Sequence, residues 1–220
     1  MNKKRLSVAV LAVAVALAVS AVASSAASAG TFGAGSYPAT ITGTQTTSVT
    51  FTGVVGKWTC KTVSMQGTLK EASTVLDLAP TYGECSWAGV AATTNMEGCT
   101  YEFTAGNTVE GNPAKVESTM DVKCPAGKEV NLVLNGGTCT IYIPAQTGLK
   151  SATFENTTAP TPDDVDLTLA LAGIKYKVVN GLFGCPNSPA DGTYTNGTIS
   201  GVETLTADSS GGIPIAFFVS

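Results

Sequence analysis

The sequence predicts an all-β protein, an antiparallel sandwich or barrel held by disulfide bonds, that follows an N-terminal signal peptide. Three observations predict this class. Apolar and polar residues alternate with a period of two in several segments. Turn-forming pairs such as Asn-Gly and Asp-Gly separate these segments. Six cysteines, an even number, lie after the apolar N-terminus.

The first 29 residues have the pattern of a secretory signal peptide. Residues 3–5 are basic, residues 6–22 form an Ala/Val/Leu run, and Ala27-Ser28-Ala29 supplies small residues before the cleavage point. We expect cleavage after Ala29, with Ala21-Val22-Ala23 as the second choice. The alternative is an uncleaved anchor, although the apolar run is about as short as a membrane-spanning helix can be. No later segment has the length to span a bilayer.

The strongest strand prediction is residues 115–124, where every second residue is apolar or small and the others are Lys, Glu, Thr or Asp. Residues 165–171 repeat this alternation, and Gly173 interrupts it before residues 174–178 resume, which predicts a bulge or bend. Further strands are expected at residues 49–51, 63–65, 75–78, 130–134, 141–143 and 192–206.

Turn signals separate these strands at residues 135–137, 180–181, 191–192 and 196–197, and the proline-rich residues 159–163 predict an extended loop. Because no long linker occurs, we expect one domain over residues 30–220. An arrangement of two sub-motifs would place their seam near residues 105–113, which are polar and rich in Gly and Asn.

The cysteines predict three disulfide bonds, because the chain has no C-x-x-C spacing and no histidine to complete a zinc site. They are Cys60, Cys85, Cys99, Cys124, Cys139 and Cys185. Fifteen pairings are open. A weak internal repeat, in which a Cys-Thr strand is followed later by a Cys-Pro pair, favours Cys99–Cys124 and Cys139–Cys185, which leaves Cys60–Cys85. The alternative is that the two similar segments recur by chance.

Charge and composition exclude several functions. Removal of the signal peptide leaves nine lysines and sixteen acidic residues, a net charge of −7, with no arginine or histidine. This composition argues against binding to nucleic acid or to anionic membranes. Without histidine, a Ser-His-Asp or Cys-His centre is excluded. The chain also lacks phosphate-binding and dinucleotide-binding fingerprints, so we expect no cofactor.

Four segments carry a resemblance to a known group of proteins. They are Gly98-Cys99-Thr100-Tyr101, Val122-Lys123-Cys124-Pro125, Ile143-Pro144-Ala145-Gln146-Thr147 and the segment from Gly192 to Thr198. The chain resembles uncharacterised secreted proteins of high-GC Gram-positive bacteria over most of its mature length. The resemblance implies export and β-architecture, and it carries over no functional residue.

Carboxylates and aromatic residues are the remaining candidates for a site. A glycoside hydrolase requires two facing carboxylates, and the candidates are Glu102, Glu117, Asp121, Glu129 and Glu155. A weak calcium candidate is the cluster Asp163, Asp164 and Asp166, which alternatively ends a polar loop and begins a strand. The aromatic residues Trp58, Trp87, Tyr82 and Tyr101 would form a sugar-stacking platform if exposed, although packing against disulfides is their ordinary use.

We therefore expect a secreted or envelope-associated protein with a non-enzymatic binding or structural role, whose partner would be a glycan or a protein surface. The alternative is a carboxylate-based glycoside hydrolase that acts on extracellular polysaccharide.

Overall fold

The computed structural model describes residues 29–134, 137–157 and 164–220. The predicted signal peptide, apart from Ala29, and the whole predicted loop at residues 159–163 lie outside the described residues. About 73% of the described chain is in β-strands, as the predicted all-β class requires. The strands are β1 (Phe32–Ala34), β2 (Ala39–Gly53), β3 (Gly56–Leu69), β4 (Val75–Trp87), β5 (Val90–Asn95), β6 (Thr100–Val109), β7 (Asn112–Lys123), β8 (Val130–Leu134), β9 (Cys139–Ile143), β10 (Gln146–Asn156), β11 (Val165–Val179), β12 (Gly192–Ser209), β13 (Pro214–Ile215) and β14 (Phe217–Val219).

The described strands close into an antiparallel barrel with eight strand positions. Five positions are single long strands: β2, β3, β4, β11 and β12. Each of the other three consists of two short strands in succession, β5 then β6, β7 then β8, and β9 then β10. Every position pairs with the one before and the one after it, and β12 returns to pair with β2. The barrel option of the predicted fold class is therefore the correct one.

The barrel has a belt of irregularities at mid-height, which we call the waist. The three composite positions are interrupted there, at residues 96–99, 124–129 and 144–145. Residues 45–48 of β2 have no partner in β3, and β11 shifts register at Gly173, whose φ is 75°. The bulge predicted at Gly173 is confirmed. The waist therefore has fewer ladder hydrogen bonds than the two halves of the barrel that it joins.

The interior is filled by the inward-facing residues of every strand position. At one end of the barrel Phe32, Phe103 and Phe154 pack edge to face, with ring centroids 4.8 and 5.2 Å apart. A small sheet of β1 and β14 covers this end, which we call the cap end. Near the opposite end, Trp58 and Trp87 are buried with ring centroids 5.4 Å apart. These aromatic side chains supply much of the apolar burial that stabilises the barrel.

All six cysteines lie within the described residues and form the three bonds that the internal repeat favours. Cys60 and Cys85 face each other across β3 and β4. Cys99 precedes β6 and Cys124 follows β7, which are paired strands. The third bond joins Cys139 to Cys185. Loop-closure entropy assigns each bond roughly 3–4 kcal/mol, and disulfides of this kind are typical of chains that fold in an oxidising compartment.

Helix is confined, in the described part of the chain, to a single turn, α1 (Gly181–Gly184). None of the described residues form a helix with the length and apolar character needed to cross a membrane. Residues 105–113, the seam expected for two sub-motifs, form the end of β6, a turn at Gly111 and the start of β7. The division into one or two units stays a prediction.

Candidate functional site

A buried carboxyl group is the most unusual chemical feature inside the barrel. The inward positions of β12 follow strict alternation, and Glu203 is the inward residue between Gly201 and Leu205. Glu203 is 0% exposed, and neither of its carboxyl oxygens has a hydrogen-bond partner among the described residues. Its partners in register are Gln45 on β2 and Leu167 on β11. The strand period, rather than a favourable polar contact, therefore places this group in the core.

Two tyrosines lie close enough to Glu203 for its charge to affect the pKa of their hydroxyl groups. The hydroxyl groups of Tyr82 and Tyr101 are 2.7 Å apart and share a hydrogen bond. Burial, then the neighbouring Tyr101 and the charge of Glu203, raise the pKa of Tyr82 well above its ordinary value, and burial together with the charge of Glu203 raises the pKa of Tyr101 to about 12. Burial also raises the pKa of Glu203 to about 7. The waist thus holds three acidic groups, all of which burial keeps protonated to higher pH than in water.

The space beside the tyrosines is too small for an organic ligand. A cavity of about 30 Å³ is lined by Tyr82, Tyr101, Thr94 and apolar residues of the core, and this volume accommodates one or two water molecules. The Thr94 hydroxyl lies 3.2 Å from the indole nitrogen of Trp58, from which it accepts a hydrogen bond. A shallow groove of about 330 Å³ lies outside, on β2, β3 and β4, and Tyr82 lines both spaces. The cavity therefore has no room for a substrate beside the two tyrosines.

The structure brings together two of the five candidate carboxylates. Glu102 and Asp121 are cross-strand partners on β6 and β7, and Asp77 on β4 pairs with Glu102 on the other side. Lys123 forms ion pairs with Glu102 at 3.1 Å and with Asp121 at 3.3 Å. Partial burial and then the charge of Glu102 raise the pKa of Asp77. This acidic row lies on the outward face of the barrel and its charge is partly neutralised by the lysine.

The other three candidate carboxylates lie apart from this pair. Glu155 accepts hydrogen bonds from Asn112 at 2.9 Å and from Lys115 at 3.2 Å, and these contacts lower its pKa. Glu117 is an exposed residue of β7, and Glu129 is half-buried just before β8. Glu155 also has a carboxylate, Asp166 of β11, as its cross-strand partner, and the side chain of Asp166 is bonded to Thr204.

The weak calcium candidate does not form a cluster in the described chain. Asp163 lies outside the described residues. Asp164 precedes β11, and the side chain of Asp166 accepts a hydrogen bond from the Thr204 hydroxyl at 2.7 Å. Within the described residues, no group of three or more acidic, cysteine or histidine side chains is arranged to hold a metal ion. The alternative, in which Asp166 is an outward strand residue, agrees with this geometry.

The aromatic residues considered for a sugar platform serve the core instead. Trp58, Trp87 and Tyr101 are buried and Tyr82 is half-buried. Among the side chains that the structure describes, the exposed aromatic rings are Tyr37, just before β2, and Phe218 in β14, where the sequence predicts no strand.

Sequence reasoning also missed Glu203. The alternation of residues 199–207 includes the inward position of Glu203. The apolar signal of this segment is weak, however, because Gly and Glu occupy two of its inward positions. Comparison of the chain with protein-family models, curated proteins and solved structures finds no match. A function therefore has to be argued from the surface and interior of this molecule alone.

Proposed function

We propose that the mature chain is a secreted or envelope-associated protein with a non-enzymatic binding or structural role. The observation that carries this proposal is the filled interior of the barrel, whose described cavity beside the buried tyrosines measures about 30 Å³. Small-molecule sites usually occupy at least about 300 Å³ and bury most of the ligand. A barrel with a packed core contacts its partners through its outer surface, so the partner is a glycan or a protein surface.

The three disulfide bonds support an extracellular location. Bonds of this kind persist in oxidising compartments and are rare in the cytosol. The signal peptide predicted at residues 1–29 also favours an extracellular location. A small barrel fixed in three places keeps its shape outside the cell, where no chaperone assists refolding.

A co-sedimentation assay with a parallel turnover assay tests the role. Purified mature protein is mixed with insoluble envelope polysaccharide and with washed bacterial envelopes, and the bound fraction and the release of reducing sugar are both measured. We expect saturable retention of the protein without sugar release. Retention no greater than that of a disulfide-reduced, unfolded sample would overturn the binding role, and sugar release would overturn its non-enzymatic character.

The second candidate, a carboxylate-based glycoside hydrolase, draws on the acidic row Asp77, Glu102 and Asp121. Neighbouring residues of this row lie on adjacent strands, whose spacing is about 5 Å. This spacing is near the separation of the two carboxylates in retaining enzymes. The row lies on an outward face and Lys123 forms ion pairs with two of its members. The discriminating variant is Glu102→Gln, which would abolish any sugar release if the row were catalytic and would leave retention unchanged otherwise.

A further inference from the structure

The outer face of the small sheet at the cap end has a regular arrangement of side chains. Across β1 and β14 the residue pairs are Gly33 with Phe218 and, one step further, Ala34 with Phe217. Phe217 is buried in the barrel end, whereas Phe218 points outward and is 38% exposed. The ring of Phe218 occupies the place where a side chain at Gly33 would lie, since a Cβ there would come within 2.5 Å of it. The aromatic ring therefore lies over the backbone of Gly33.

A second exposed aromatic ring joins this face. The backbone N–H of Ala34 donates a hydrogen bond to the hydroxyl of Tyr37 at 3.0 Å, so Tyr37 folds back onto β1 one residue from Gly33. Tyr37 is 41% exposed. Gly35, on the same side of β1 as Gly33, lies beside Ile215, and Ile213 two residues earlier is 66% exposed. We call the exposed side chains Tyr37, Ile213 and Phe218 the end platform.

Hydroxyl groups continue the end platform on the same face. Thr31 and Ser220 are backbone partners two rows beyond the Gly33–Phe218 pair, with N–O distances of 2.7 and 3.1 Å. Because side chains two residues apart on a strand share a face, their hydroxyls lie on the side of Phe218, two rows away. The two hydroxyl oxygens are 2.8 Å apart. An apolar ring and a pair of hydrogen-bonding groups thus share one face of the small sheet, and no residue of β1 or β14 is charged.

The size and chemistry of the end platform favour a sugar ring over a protein partner. Its exposed side-chain area is on the order of 300 Å², given that a whole aromatic side chain presents about 200 Å². A stable protein interface needs about 800 Å² from each partner. One face of a pyranose ring carries apolar C–H groups, which pack on an aromatic ring, while its hydroxyls at the ring edge seek hydrogen-bonding partners.

We propose that the end platform binds one face of a pyranose residue in an uncharged polysaccharide, with Phe218 and Tyr37 in contact with the ring and the Thr31–Ser220 pair bonded to its hydroxyls. The proposal rests on the binding role given above and names its ligand class. The absence of charge in the three rows of β1 and β14 matches an uncharged ligand, and the net charge of −7 disfavours an acidic polysaccharide.

The test is a titration of isotope-labelled mature protein with neutral hexasaccharides built from glucose, mannose, galactose or N-acetylglucosamine, followed by amide chemical shifts. With at least one of them we expect shifts confined to residues 31–37 and 213–220. Phe218→Ala and Tyr37→Ala each weaken that binding by about five- to tenfold, the value of one aromatic contact. Phe218→Tyr retains it, which separates loss of a ring from loss of folding, and Tyr37→Phe weakens it less than Tyr37→Ala because the ring stays while the bond from the Ala34 N–H is lost. Leu182→Ala and Val90→Ala are matched controls, because both side chains are exposed apolar groups away from the cap end.

Each outcome separates this proposal from the binding role. Shifts at the cap end that the alanine variants reduce and the controls do not would support the end platform. Shifts that map elsewhere, or that the two alanine variants leave unchanged, overturn the platform and leave the binding role intact. Retention on envelopes without a response to any hexasaccharide also overturns the sugar ligand alone. A failure of both assays overturns both proposals.

Discussion

Ionisation of Glu203 should make the stability of this protein fall as pH rises. Burial raises the pKa of this carboxyl from 4.5 to about 7, so the folded protein holds a proton that the unfolded chain releases. Each unit of pKa difference corresponds to about 1.4 kcal/mol, which gives about 3 kcal/mol for this group. The contribution is fully present below the unfolded pKa and is lost as pH rises through the folded value. That loss is a large part of a typical domain's free energy of unfolding.

The variant Glu203→Gln isolates this effect, because it keeps the shape of the side chain and removes its charge. Urea unfolding of both proteins, with disulfides intact, is measured between about pH 4 and about pH 9. Near pH 4 the two proteins should have similar stability, and above about pH 8 the variant should be more stable by about 3 kcal/mol. Tyr82 and Tyr101 stay protonated throughout, because their pKa values are raised.

Other groups titrate in the same range, and the comparison removes their contributions. The raised pKa of Asp77 and the lowered pKa of Glu155 act on both proteins equally. Only the difference between the two curves reports on Glu203. If that difference stays constant across the whole range, Glu203 does not change its protonation on folding, and the assignment of a buried unpartnered carboxyl is wrong.

Three further changes have outcomes set by the waist and the core. Replacing both Cys60 and Cys85 with alanine should lower the free energy of unfolding in urea by about 3–4 kcal/mol, and a loss below about 1 kcal/mol would contradict the loop-entropy account. Thr94→Val removes the acceptor of the Trp58 indole N–H and should cost about 1–3 kcal/mol, whereas Thr94→Ser should cost less. In an ultraviolet absorbance titration, the difference between the native protein and Tyr101→Phe should show a phenol that ionises near pH 12 rather than near pH 10.

The regular strands could be predicted because their burial alternates in the simplest way. Val116, Met120 and Val122 alternate with charged and hydroxyl residues, and the structure buries all three on the inner face of β7. The sequence also favoured the observed disulfide pairing for a related reason. In each repeat, the Cys-Thr strand and the Cys-Pro turn lie at the same end of neighbouring strands. Both signals are local, and the antiparallel meander preserves them because each strand position pairs with its neighbours in the chain.

Closure into a barrel could not be predicted, because it depends on the pairing of β2 with β12 across most of the chain. Closure also decides which aromatic side chains are exposed. Trp58 and Trp87 lie beside cysteines that face the interior, so closure buries them. Phe218 belongs to a three-residue strand that covers the cap end, and a strand so short carries too few residues for a period to be recognised.

Two prolines in the sequence indicate where two of the strand positions are interrupted at the waist. Pro125 lies two residues after the end of β7, and Pro144 directly follows the last residue of β9. A proline cannot donate a ladder hydrogen bond. Each therefore ends one short strand before the next begins, which interrupts two neighbouring strand positions at the same height. A wall with missing ladder bonds has more freedom to adjust than a continuous one, and Glu203 is the register partner of Gln45, which belongs to the stretch of β2 without a ladder partner in β3. The most costly buried group is thus placed where the barrel can best relax around it.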